Sequence, residues 1–215
     1  MSWIEDNGKN NVIVYDQIFS KMKSKIIING NDNFIKLGIN VMFRHSVIVL
    51  EGNFNKCIIE ENVQIKNNKF DIRDKSFVHI KKDSTLGRGE IVCAENSEVI
   101  IGQNCMFAAY YRIRTSDIHP IWNIEDGKRI NFSRNVIIDE HVWLTRDVSV
   151  MKGAEIKSHS IVANSSIVTK KFQESFLLLG GTPAKILKKG ITWSRNSYNT
   201  IKEDPYLKKA FDINE

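Results

Sequence analysis

The run Ile138-Asp-Glu-His-Val-Trp143, Leu144-Thr-Arg-Asp-Val-Ser149, Val150-Met-Lys-Gly-Ala-Glu155, Ile156-Lys-Ser-His-Ser-Ile161, Val162-Ala-Asn-Ser-Ser-Ile167 and Val168 decides the fold. An aliphatic residue opens every group of six, and four positions later stands something small or β-branched: Val142, Val148, Ala154, Ser160, Ser166. A helix returns side chains to one face every ~3.6 residues and a strand every ~2. Neither period yields this pattern. A chain that turns a corner every six residues does, because one large side chain per turn fills a narrow interior and a small one fits beside the corner. Separate strands of a sandwich are the rival, but they give no reason for the aliphatic openings to keep register.

Upstream the pattern continues with a longer period. Leu37, Ile59, Ile80 and Ile101 lie 22, 21 and 21 residues apart, where three groups of six would take 18, so each early coil carries extra residues at one corner. Asn40, Asn62 and Asn104 recur three positions after an opening, where tolerance of left-handed geometry suits a turn. Residues 1–25 show no such repeat. They read as an N-terminal cap, with a strand at Val12-Ile-Val-Tyr15 and a short helix across Gln17-Ile-Phe19 and Lys21-Met-Lys23. Register fails once: Ile101, Phe107 and Ile113 are six apart, but the next opening is Ile138, 25 residues on. About 19 residues, 116–135, therefore leave the coil, carrying Asp117-Ile-His119-Pro120-Ile-Trp122 and Glu125-Asp-Gly-Lys-Arg129. A long excursion from a regular scaffold is commonly functional. The β-helix is expected to occupy residues 26–189 and close through Leu177-Leu-Leu-Gly-Gly181. A polar tail, 190–215, follows with Trp193 and a short helix capped by Asp204 and started by Pro205.

Composition sets outer bounds. A chain of 215 residues with 42% apolar content makes one long domain with appendages. The start carries neither a basic stretch nor an apolar run, and clusters such as Phe176 to Leu179 are too short to span a bilayer, so a soluble, cytoplasmic protein is expected. Cys57, Cys93 and Cys105 form neither a disulfide framework nor a paired zinc motif and read as buried apolar residues. The net charge of +6 is concentrated where Lys170, Lys171, Lys185, Lys188, Lys189 and Arg195 face only Glu174. Such a cluster is a solvated surface or a phosphate site. Nucleic acid is disfavoured because no binding motif accompanies it.

The aliphatic openings, the excursion with Asp117-Ile-His119-Pro120, His141-Val-Trp143-Leu144 and the closing Gly180-Gly-Thr-Pro-Ala-Lys185 occur together in that order. In this combination the chain resembles the hexapeptide-repeat acyltransferases over roughly Ile26 to Lys189. Within them it looks most like the capsule polysialic acid O-acetyltransferases of the meningococcal type. The resemblance implies an all-β, left-handed parallel β-helix, a homotrimer with active sites between subunits, and acetyl-CoA as cosubstrate. It also has departures. Thr145 follows Leu144 where many relatives carry glycine, and Arg114, Met151 and Lys157 stand where a small residue is usual.

O-acetyl transfer needs a base for the sugar hydroxyl and a groove for the coenzyme, and histidine suits the first task near neutral pH. Of His45, His79, His119, His141 and His159, only His119 lies in the excursion. The resemblance makes it the catalytic base; a structural loop histidine is the plainer alternative. Asp117 is a candidate to orient its ring. His141 and His159, one 18-residue coil apart, should stack as surface histidines. No His-x4-His pair is present to support a zinc site, so no metal is expected. Trp143, at an outward position, is assigned to catalysis and cofactor binding, against burial under the excursion or a neighbouring subunit. Backbone N–H groups from Trp143 to Thr145 are candidate oxyanion donors. By the resemblance Ser160, Ala163, Thr182, Pro183, Ala184 and Lys185 line the pantetheine path, with Lys170, Lys171 or Lys188 near the phosphates. Arg112, Arg114, Lys128, Arg129 and Arg134 are candidates to hold a sialic acid carboxylate. The expected activity is direct acetyl transfer to a sugar hydroxyl of a bacterial surface glycan, with sialic acid in capsular polysaccharide as acceptor. A neutral or amino sugar acceptor, and a non-catalytic β-helix that binds polyanions, remain as alternatives.

Overall fold

A computed structural model describes residues 2–16 and 20–212. The chain winds as a left-handed parallel β-helix whose three sheets form the faces of a triangular prism. One coil shows the plan. Lys25–Asn29 lies on the first face, Phe34–Leu37 on the second and Met42–Arg44 on the third, and Val47–Glu51 returns to the first face beside Lys25–Asn29. Among the described residues the faces contain eight, seven and eight strands. Every pairing is parallel except the last on the third face, where Ala184–Lys189 runs antiparallel to Leu177–Gly181.

The six-residue pattern becomes vertical stacking. Leu37, Ile59, Ile80, Ile101, Ile138 and Ile156 pair in register up the second face, all fully buried. Each such side chain contributes roughly 1.5–3 kcal/mol by leaving water, and no sheet face beneath is left to solvent. Buried corners need polar partners for backbone groups that turn away from the ladders. Asn33 Oδ1 accepts the Asn55 N–H (2.8 Å), and Asn55 Oδ1 accepts the Ser76 N–H (3.1 Å). These three residues are almost wholly enclosed at the first-to-second edge. A second ladder climbs the third-to-first edge, where Ser24 Oγ accepts the Ser46 N–H (3.1 Å) and Ser46 Oγ the Asn68 N–H (3.0 Å). Above it, Tyr111 is fully buried with its hydroxyl donating to Asn68. Gly89 makes this possible, since a Cβ there would stand 2.3 Å from the Tyr111 ring.

Two expectations change at the N-terminus. Ile4–Asp6 and Val12–Tyr15 pair in parallel with Lys25–Asn29 and Phe34–Leu37, so the coil begins well before Ile26 and residues 1–25 are not a separate, non-repeating cap. The 22-residue step from Ile4 to Ile26 was hidden by the polar, asparagine-rich corner between those strands. The expected helix falls partly at Gln17–Phe19, outside the described residues, while Lys21–Lys23 belong to a turn in which the Ser24 N–H reaches the Lys21 carbonyl (3.3 Å). Cys57, Cys93 and Cys105 are all buried free thiols.

The C-terminal chain does not trail into solvent. Past Gly190 it crosses back over the second-to-third edge and ends in the helix Pro205–Ala210, where Asp204 Oδ1 accepts the N–H groups of Tyr206 (2.8 Å) and Leu207 (3.1 Å). Among the described residues no helix is long and apolar enough to cross a membrane.

Candidate active site

The excursion leaves after Tyr111–Arg114 on the first face and rejoins at Val136–Ile138 on the second, so it stands on the first-to-second edge. It is a tied hairpin rather than a loose strand of chain. Trp122 bridges Arg129 in antiparallel fashion, and the Ile130 N–H meets the Ile121 carbonyl at 2.9 Å. Asn131, buried at its base, is the tie: Nδ2 donates to Asp117 Oδ2 (2.9 Å) and the His119 carbonyl (2.8 Å), while Oδ1 accepts from the Ile121 N–H (2.6 Å). Arg129 clamps the hairpin to the prism through Glu95 (2.7 and 2.9 Å). Sequence reading passed over Asn131, although an asparagine closing a polar loop is a recurrent signal.

His119 itself is exposed, with its backbone fixed on both sides: its N–H donates to the Asp117 carbonyl (2.7 Å) and its carbonyl to Asn131 as described. The Asp117 carboxylate binds Lys152 and Asn131. Lys152 foremost holds it below the usual carboxylate range. Both contacts fall on Oδ2, which places Asp117 in loop anchoring, and among the described residues no hydrogen bond joins it to the His119 ring.

Trp143 lies on the third face, across the prism from that edge. It is half-buried in an outward column with Met106, Ile161 and Leu178. Its indole is flanked by Trp193, with ring centroids 5.8 Å apart. Among the described residues its Nε1 has no hydrogen-bond partner. The neighbouring backbone is occupied: the Trp143 N–H donates to the Ser160 carbonyl (2.9 Å) and the Thr145 N–H to the Val162 carbonyl (3.1 Å), so neither is an available oxyanion donor.

The cofactor candidates divide between the same two sides. Ala163, Thr182, Pro183, Ala184 and Lys185 gather on the third face and its edge with the first, where Thr182 Oγ1 reaches the Ser165 carbonyl (3.3 Å). Ala163, Thr182 and Pro183 make this a lane of small residues, while Gly180 beside it is covered by the Leu187 side chain, since a Cβ there would lie 2.6 Å from Leu187 Cδ1 and 3.3 Å from Ala163 Cβ. Ser160 lies instead at the second-to-third edge, its side chain wholly enclosed and its Oγ accepting the Leu177 N–H (3.2 Å). Ala184 is likewise buried. Lys188 is exposed on the outer strand beside Lys185. Lys170 and Lys171 sit beyond the first face, toward the excursion edge, with Lys170 over the Phe172 ring and Lys171 3.5 Å from Glu155. Of the carboxylate-binding candidates, Arg129 is already engaged, Arg114 pairs with Glu90 (3.2 Å), Lys128 with Asp126 (3.2 Å) and Arg112 weakly with Asp147 (3.5 Å). Arg134, packed over Gly153, has no carboxylate partner among the described residues.

His141 and His159 are buried, which corrects their reading as surface residues. Both occupy left-handed corner positions (φ 52° and 62°) in the column that Asn40, Asn62 and Asn104 also fill. The returning tail covers them. Trp193 stacks on His141 at 4.2 Å, its indole N–H donates to the His141 carbonyl (2.8 Å), and His141 Nε2 meets the Trp193 carbonyl (2.9 Å). Tyr206 and Phe176 stack on His141 and His159, respectively. Burial pushes the His141 imidazole down to about 4 and also lowers that of His159.

A β-helix with one anchored excursion bearing a histidine and an outward tryptophan on the opposite face has the architecture of a hexapeptide-repeat acyltransferase. No protein-family model matches the chain. A polysialic acid O-acetyltransferase of Neisseria meningitidis is 34% identical over 207 residues, covering 96% of each chain. A polysialic acid O-acetyltransferase of Escherichia coli O1:K1 is 35% identical over 89% of this chain, which spans 62% of that relative's length. Among solved structures, the polySia-specific acetyltransferase NeuO superimposes with a TM-score of 0.93 at 34% identity over 97% of this chain and 96% of its own. The polysialic acid O-acetyltransferase OatWY gives 0.83 at 32%, over 94% and 98%. The chain belongs to the polysialic acid O-acetyltransferase family.

Proposed function

We propose that the protein transfers the acetyl group of acetyl-CoA to a hydroxyl of a sialic acid polymer, in clefts where the excursion of one subunit meets the third face of its neighbour in a homotrimer. The observation that carries this reading is the division of the candidates. His119, Lys170 and Lys171 lie toward the first-to-second edge, whereas Trp143, Ala163 and Thr182–Lys185 lie on the far side of the prism. One chain alone cannot join the two groups, because a fully packed core separates them. Rotation about a threefold axis brings one group of each subunit to the other group of the next.

In this cleft the thioester supplies an activated acyl group. His119 takes the proton of the acceptor hydroxyl as that oxygen attacks the thioester carbon. It then returns the proton to the departing coenzyme sulfur, which balances the step. Trp143 offers its ring and unpartnered Nε1 donor to the ligands. The lane of Ala163, Thr182 and Pro183 admits an extended chain close to the backbone, and the exposed amines of Lys185 and Lys188 face its phosphates. Arg134 is the carboxylate-binding candidate with its guanidinium still available to the acceptor.

Complementation tests the reading. His119→Ala and Trp143→Ala are each expected to be inactive alone. Co-expressed and mixed in trimers, they should recover roughly a quarter of wild-type activity by random assortment, since a site formed between two subunits regains both residues in that share of cases. No recovery would place both residues in one chain's site. Transfer to neutral sugars but to no sialoside would replace the acceptor.

A further inference from the structure

The third-to-first edge is not uniform along its length. Its C-terminal coils carry the small-residue lane. Its earlier coils carry a groove of about 380 Å³ lined by His45, Lys69, Arg88, Tyr110 and Arg112, among others. Tyr110 is 40% exposed at a left-handed corner and has a guanidinium on either side, Arg88 at 5.5 Å and Arg146 at 4.8 Å from its ring. Neither Arg88 nor Arg146 has a carboxylate partner among the described residues. The nearby acids are engaged, Asp147 by Arg112 and Glu90 by Arg114.

From Lys69 to Arg146 the cations climb three coils, which at the spacing of neighbouring strands is about 14 Å. In the sequence these residues are dispersed, about 20 or more apart. The winding brings them into one line. That line runs into the edge that flanks Trp143 and the small-residue lane, so a ligand lying in it points its end at the transfer site. Exposed guanidiniums without internal partners suit carboxylates, and a tyrosine between them offers a flat face to a sugar ring.

We propose that this edge is an acceptor track that holds several consecutive residues of an anionic carboxylated polysaccharide while one residue further along is acetylated. The proposal rests on the reading of the acceptor as a sialic acid polymer and adds a binding site remote from the reacting atoms. A track of this kind acts on long acceptors and leaves short ones untouched, since two or three sugars cannot fill both the cleft and the edge. Its grip weakens with salt, as exposed charges are screened.

The test uses the full-length protein without acetyl-CoA, titrated with long α-linked polysialic acid and with trisialic acid. Arg88→Gln with Arg146→Gln should weaken binding of the long polymer at least about tenfold and flatten its salt dependence, with binding of trisialic acid unchanged. Tyr110→Asn, which suits the left-handed corner, should weaken the long polymer further. Circular dichroism melts at wild-type temperature would show that the variants are folded. Unchanged affinity for the long polymer, or an equal loss for trisialic acid, would overturn the track. Wild-type enzyme that binds polymer through these residues but, given acetyl-CoA, acetylates no sialoside would instead overturn the proposed function and leave the edge standing as a binding site for a carboxylated polysaccharide.

Discussion

The histidines of two edges of the prism are opposites. On the second-to-third edge His141 and His159 sit in corner positions under aromatic rings, Trp193 of the tail over the first and Phe176 over the second, with burial lowering both imidazoles from their ordinary value. On the first-to-second edge His119 rides an anchored hairpin, exposed, with its main chain fixed and its ring open. The imidazole is the same in all three residues. What separates an open imidazole from a covered one is whether the chain comes back over it.

The sharpest way to break this contrast is to exchange the consequences. His119→Ala should lower kcat about a hundredfold or more while acetyl-CoA binding, read by calorimetry, is retained. Undiminished turnover would make His119 a loop residue like any other. His141 should act on stability instead. Its folded value, about 4, lies below the ordinary 6.5, so protonation favours the unfolded chain. The stability is fully present above pH 6.5 and is lost as pH falls through 6.5 toward 4. At pH 5 the loss attributable to this ring is about 2 kcal/mol. His141→Asn, which keeps a residue suited to the corner, should remove that share of the slope in urea titrations at pH 7 and 5, and an unaltered slope would refute it. The smallest expected effect is at the hairpin tie. Asn131→Ala should reduce kcat about tenfold through misplacement of His119, with a smaller change in KM and little shift in melting temperature. A loss confined to melting temperature would show that Asn131 serves only packing.

The legibility of these edges in the sequence follows from periodicity. Ile138, Leu144, Val150, Ile156 and Val162 repeat, so their burial could be read directly, and the single failure of register exposed the excursion. The tail could not be read that way. Trp193 meets His141 across 52 residues with no repeat to announce it, so two covered histidines looked like surface ones. The first coil was missed for a related reason: Ile4 and Ile13 keep register with Ile26 and Ile35, but the polar corner between them carries no aliphatic opening. The division of candidate residues between opposite sides was equally invisible. Spacing gives the height of a residue along the prism, while the face it occupies depends on which corners carry the extra residues.

The reversed final strand has a consequence of another kind. A stack of parallel coils ends in strand edges that can template further strands, whether from another copy or from an unfolded chain. On the third face Ala184–Lys189 closes that template by running antiparallel and studding its outer side with Lys185, Lys188 and Lys189. Bringing a second such edge alongside would crowd like charges, which opposes fibre growth from this end. Lys185 and Lys188, proposed above to meet the coenzyme phosphates, thus also oppose end-on growth of the solenoid. Replacing them with neutral residues would remove a barrier to end-on aggregation as well as a ligand contact.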